Sequence, residues 1–392
     1  MTDLMTLQNL SQYYTETTSS THTSPANGKV KFTPGLTNMA IKDVPAEYSA
    51  FATAITPDSL DLADFQYALA QLTIGKNFST LPSAEQAKVA ILREALGFPT
   101  EDPESVTLSF TTIATDNGIL AVTQFVPANY DAALAPIYFP TGLHHSIAVY
   151  ADFLQKLAIE TGRKIIAFDS PGVGASVGNT KINHEILASS LKTVITRTTP
   201  NGQAVIVMGH SLSTIAVKDM LYTQDVGQED QSTFRNPVEK YICIAPVPWG
   251  NDQRKGLIFA KDFMLDGVIS MFTKSDRLVS KQTDAVNYYF PLHSGEDREW
   301  LKDKTTTQSF PIGPFAFLSA LAVVGKQPLW DQMNNPKLDV VLADEDQIMR
   351  LKKPDEWKAQ GAIILANADH SAIAGRDVNE EWVKQIAASI QE

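Results

Sequence analysis

From residue 106 onward, short apolar runs alternate with amphipathic stretches in a regular order. Runs at 106–114 and 119–126 flank Asp116-Asn117-Gly118, a tight-turn signal, and predict a β-hairpin. Further apolar runs at 136–140, 164–168, 204–208, 241–245, 338–342 and 362–366 predict strands, each too short to be a buried helix. Helical patterns lie between them, centred on 146–160, 183–196, 212–222, 312–324 and 378–390. A hairpin followed by βα repeats predicts an α/β fold with a mostly parallel sheet and helices on both faces.

Two regions depart from this alternation. Residues 1–57 are polar and irregular, and 15–28 are rich in Ser and Thr. Two helices are expected after them. One runs over 59–72, capped by Asp58 or Ser59. The other runs over 83–96, ends at Gly97 and places Ala84, Ala87, Ala90, Ile91 and Ala95 at helical spacing. Residues 1–104 therefore form an expected helical appendage. The second departure is 247–337, which separates two strands by far more than a βα connection. It holds Phe259, Phe263, Met264, Met271, Phe272, Tyr288, Tyr289, Phe290, Phe315 and Phe317. Such an insertion is either a lid over a site or a helical packing layer, and the lid is the favoured reading. The expected division is an extension at 1–104, a core in two parts at 105–246 and 338–392, and a lid at 247–337.

Composition narrows the function classes. The chain has 392 residues, 44% of them hydrophobic and 19% charged, as expected of a soluble globular protein with a sizeable core. A net charge of −12 without any dense Lys/Arg run disfavours nucleic acid as a partner. The one cysteine, Cys243, excludes an internal disulfide and sits in the apolar run Tyr-Ile-Cys-Ile-Ala, where it is expected as buried filler. The first residues lack a basic region followed by an apolar stretch, and no apolar run is long enough to span a bilayer, so a cytoplasmic protein is expected. The pattern fixes no oligomeric state.

The chemistry lies at the ends of the strands. An apolar run leads into Gly209-His210-Ser211-Leu212-Ser213 and then into a helix. This resembles the Gly-x-Ser-x-Gly nucleophile elbow of the α/β-hydrolase superfamily, with Ser213 standing where a second glycine is usual. The elbow needs small residues two before and two after the serine, because strand and helix pass closely there. The run at 362–368 leads to Asp369-His370, in the place of the family's base. After the penultimate strand stand Asp344, Glu345 and Asp346; the family pattern, an acid two residues before an aliphatic, favours Asp346 ahead of Ile348. Thr141-Gly142-Leu143 resembles the family's His-Gly-x oxyanion loop. Asp169-Ser-Pro-Gly-Val-Gly-Ala-Ser176 resembles a structural stretch after the following strand. Its glycines do not match a dinucleotide fingerprint.

The resemblance implies a serine hydrolase with Ser211 as nucleophile, His370 as base and Asp346 as orienting acid, in the chain order Ser, Asp, His. It implies oxyanion donors at the Leu143 and Leu212 N–H groups. Gly142, His144, His145 and His210 fall beside these positions and are candidate substrate contacts, with ordinary loop polarity the plainer reading of His144 and His145. No metal or other cofactor is implied. The aromatic insertion points to an apolar acyl or alcohol group on a small ester or thioester. Acyl transfer to another acceptor, C–C bond hydrolysis with the same triad, and a non-catalytic ligand-binding protein on the same scaffold stay open.

Overall fold

The computed structural model describes residues 105–115, 118–142, 145–170, 176–178, 184–225, 234–246, 332–346 and 354–391, with positions 23–24, 28–29, 296 and 300–301. The two helices expected within 1–104, the helix expected at 312–324 and most of the expected lid lie outside these residues.

Apart from a two-residue antiparallel pair at Thr23–Ser24 and Gly28–Lys29, the described strands are β1 (Val106–Thr115), β2 (Gly118–Pro127), β3 (Ile137–Pro140), β4 (Ile165–Phe168), β5 (Val177–Gly178), β6 (Val205–His210), β7 (Val238–Ile244), β8 (Leu338–Ala343) and β9 (Ile363–Leu365). The helices are α1 (Ile147–Thr161), α2 (His184–Thr198), α3 (Thr214–Gln224), α4 (Pro354–Ala359) and α5 (Glu380–Gln391). One sheet has the order β9-β8-β7-β6-β3-β4-β2-β1, with β5 paired to β2. Strands β4, β3, β6, β7, β8 and β9 are mutually parallel. The β1–β2 hairpin adds to the β4 edge antiparallel and stays in register down to Thr115 opposite Gly118. The mostly parallel sheet expected from the pattern is what the chain forms.

The central strands are buried along their whole length: β3, β4 and β6 expose no residue. Both faces are covered, so these strands read as continuous apolar runs and not as alternations. Alternate side chains serve two cores. Ile137 and Phe139 pack with α1 and α5, whereas Tyr138 packs with α2 and α3. On the α1 side, Phe153, Leu154, Leu157, Ile386 and Ile390 are fully or nearly fully buried. Each such side chain contributes on the order of 1.5–3 kcal/mol. From the long insertion, Leu301 is fully buried in this same core and Trp300 packs against it. The Arg376 guanidinium lies 5.6 Å from the Trp300 ring centre. No helix among the described residues is long and apolar enough to cross a membrane.

Candidate active site

The site forms where the parallel strands end. Strand β6 runs buried to His210, and the next residue, Ser211, takes φ +53°. A serine in the left-handed region is strained, and the strain holds its side chain out of the turn. Residues Ser211–Ser213 form a 3₁₀ turn that leads into α3. The turn requires the small residues found in the sequence. A Cβ on Gly209 would lie 2.9 Å from Val217 Cγ2 and 3.0 Å from the Ser213 carbonyl carbon. Ser213 is accommodated because its hydroxyl is used: it accepts from the His210 N–H at 2.9 Å and donates to the His210 carbonyl at 2.9 Å.

His370 lies on the loop after β9 and is 4% exposed. Its Nδ1–H donates to Asp346 Oδ2 at 2.8 Å, and its Nε2 accepts from Ser211 Oγ at 2.8 Å. A carboxylate can only accept there, which fixes the tautomer. Asp346 is the acid that reaches the imidazole, and it too is buried. Its two neighbours point elsewhere: Asp344 Oδ1 accepts from the Ala368 N–H at 3.0 Å, and Glu345 is exposed. The three-residue acidic turn thus divides between one buried carboxylate and two solvated ones.

The loop after β3 is pinned to its surroundings. Thr141 Oγ1 accepts from the Ser170 N–H at 3.0 Å, and the Thr141 carbonyl accepts from the Ser170 hydroxyl at 2.7 Å. Asp169 is buried, and its carboxylate accepts from the Ile147 N–H at 2.7 Å at the start of α1, where a negative charge is favoured. A Cβ on Gly142 would meet Tyr150 Oη at 2.9 Å and the His210 carbonyl at 3.1 Å. The close approach of this loop to the elbow therefore needs glycine. Leu143 and His144 lie outside the described residues. Leu212, directly after the nucleophile candidate, is buried in the first turn leading into α3, where backbone N–H groups have no partner within the helix.

His145 and His210 sit inward of the loop and the elbow. His145 is 4% exposed and His210 fully buried. His210 Nε2–H donates to the His370 carbonyl at 2.7 Å, and its Nδ1 accepts from Tyr150 Oη at 2.9 Å. His145 Nδ1 is 3.0 Å from that same hydroxyl. Burial, reinforced by the nearby His370, lowers the His210 pKa to about 3, so its ring is neutral. Tyr150 carries no sequence signal of its own. It lies in α1 at a position that looks like core, and only the fold brings it between the two histidines.

The sequence matches no family model and no curated protein. Solved structures do match in fold. An esterase from Exiguobacterium antarcticum shares 17% identity at a TM-score of 0.50, over 72% of this chain and 99% of that one. A hydrolase from Pseudomonas aeruginosa shares 13% at 0.50, over 72% and 96%. The chain has the α/β-hydrolase fold. A laboratory-evolved variant of potato epoxide hydrolase shares 14% at 0.50, over 72% and 99%, so similarity of fold spans hydrolases of different substrates. Within the α/β-hydrolase fold the argument for function rests on the site.

Proposed function

We propose that this chain is a serine hydrolase that cleaves a carboxylic ester or thioester with an apolar acyl group. The observation that carries the reading is the unbroken chain from buried Asp346 through His370 to the strained Ser211. Three groups at hydrogen-bond distance in this order make a nucleophile, a base and an orienting acid.

In the first step Ser211 Oγ attacks the substrate carbonyl while its proton moves to His370 Nε2. Asp346 holds the imidazole in the required tautomer and stabilises it once charged. The carbonyl oxygen becomes an oxyanion, held by the Leu212 N–H and by Leu143 as the second donor. His370 then gives its proton to the leaving alcohol or thiol. Water, deprotonated by His370, cleaves the acyl-enzyme and regenerates Ser211.

The reading includes residues 247–337 as a cap that sets acyl size. Leu301, buried in the α1–α5 core, and Trp300, against Arg376 on the segment that follows His370, support an attachment of the insertion on the side of the sheet that carries the base. It also includes a small-molecule substrate met in the cytoplasm and no cofactor. Turnover of p-nitrophenyl esters and acyl thioesters of graded chain length tests it. A defined optimum of chain length is expected. Binding of such esters without turnover would favour the ligand-binding alternative.

A further inference from the structure

Ser211, His370 and Asp346 do not account for the polar groups buried beside them. Behind the elbow, His145, Tyr150 and His210 form a second hydrogen-bonded chain that ends on the backbone of His370. Every proton in it has a forced direction. The His370 carbonyl can only accept, so His210 Nε2 carries the hydrogen. His210 is neutral, so its Nδ1 is an acceptor. Tyr150 must then donate its hydroxyl proton to that nitrogen, and His145 Nδ1–H must donate to the Tyr150 oxygen. The Gly142 backbone amide faces this oxygen as well. Burial holds the Tyr150 hydroxyl far above its usual pKa, so it keeps the proton this arrangement needs.

We infer that Tyr150, His210 and His145 are positioning residues for the base, tying the His370 backbone to the elbow and to the loop after β3. The inference rests on the reading of Ser211 and His370 as nucleophile and base. Three separate loops contribute to that chemistry: residues 141–146, the elbow, and the loop carrying His370. Among the described residues, no strand pairing joins them at their tips. The Tyr150 hydroxyl and the His210 ring lie between them and join all three.

Contacts between the rings fix the geometry further. Tyr150 meets Phe139, His145 and His210 edge to face, with ring centres 5.0, 5.6 and 5.5 Å away. The His210 ring centre is 5.3 Å from that of His370. A neutral ring is needed there, because a second positive charge would oppose the imidazolium formed during acyl transfer. The burial of His145 and His210 suits this part better than the substrate contact for which both were candidates.

The test uses the full chain with Tyr150→Phe, His210→Gln and His210→Leu. Gln retains an N–H donor for the His370 carbonyl, whereas Leu removes both links. Two readouts are taken: the rate of Ser211 labelling by a fluorophosphonate, and the ring resonances and titration midpoint of His370 in ¹⁵N-histidine-labelled protein. A 1 Å misplacement of a reacting group can cost on the order of 10²-fold, and a loss of that size is expected for Tyr150→Phe and His210→Leu, with partial recovery in His210→Gln. The His370 midpoint should move in the same order. Melting curves identify variants that fail to fold; if Tyr150→Phe or His210→Leu fails, His210→Gln against wild type carries the comparison. Labelling rates within twofold of wild type and an unmoved His370 midpoint in the folded variants would overturn the inference. If wild-type Ser211 is not labelled at all, the functional reading fails, and the His370 resonances alone still decide whether the chain positions that ring.

Discussion

The two faces of the sheet bury polar groups in different ways. On the α1 and α5 side, His145, Tyr150 and His210 are joined to one another and end on the loop of His370. On the α2 and α3 side, Lys218 is buried in α3 near the thiol of Cys243 in β7. Tyr138 there bonds Thr198 at 2.6 Å, and also Thr199, at the end of α2. Both faces perturb ionisation strongly. Burial lowers the Lys218 amine to about 8 and raises the Cys243 thiol to about 12. Burial also raises Tyr138 to about 12. A shifted pKa therefore does not mark the site here. What distinguishes the α1 face is that its polar chain reaches the carboxyl ends of the parallel strands, where ligands bind in open α/β sheets.

The largest effect expected from breaking this contrast is at the nucleophile. On the proposed reading, Ser211→Ala should lower ester turnover by about 10⁶-fold with the fold unchanged, the loss seen when a serine protease is stripped of its nucleophile. Turnover at wild-type rate in that variant would remove the catalytic side of the comparison. Next comes the acid. Asp346→Asn should lower kcat on the order of 10⁴-fold, since the amide no longer holds the correct His370 tautomer. The same change at Asp344 should cost far less, because that carboxylate caps the Ala368 N–H and does not meet the imidazole. Comparable losses at 344 and 346 would contradict the assignment.

The smallest effects sharpen the contrast through stability. His210 and Lys218 are both bases whose pKa is depressed by folding, so the unfolded chain binds more protons and stability rises with pH across each window. For His210 the window runs from about 3 up to the ordinary value of 6.5. For Lys218 it runs from about 8 up to 10.5. Each contributes on the order of a few kcal/mol across its window. Urea unfolding at a series of pH values should show His210→Gln flattening only the acid window and Lys218→Met only the alkaline one. Lys218→Met should also leave kcat and KM for esters close to wild type. Curves that stay parallel to wild type in both windows would show that burial does not set these ionisations.

Part of this arrangement is written locally in the chain. Strands β3, β4 and β6 announce themselves because burial on both faces makes them short, unbroken apolar runs. The elbow is visible because sterics demand Gly209 and a small Ser213 around Ser211. Strand β7 begins at Val238, three residues before the apolar run, and the run misses this start because Glu239 is exposed and Lys240 is a charged residue held by Asp339 at 3.2 Å. The six-residue α4 gives no amphipathic pattern to detect and buries little beyond Trp357. The His145–Tyr150–His210 chain was out of reach for a different reason. Its members are separated by 5 and 60 residues, its last bond to His370 spans 160, and each member looks locally like core or loop polarity. Only the closing of the sheet brings them together.

The central claim is that Ser211 is a nucleophile activated by His370. Fluorophosphonate treatment of the wild-type protein, followed by intact mass and peptide mapping, tests it most directly. One adduct per chain, located on Ser211, lost in Ser211→Ala and strongly slowed in His370→Ala, is the predicted result. No adduct under conditions that label an active esterase, or an adduct on another residue with Ser211 untouched, would contradict it.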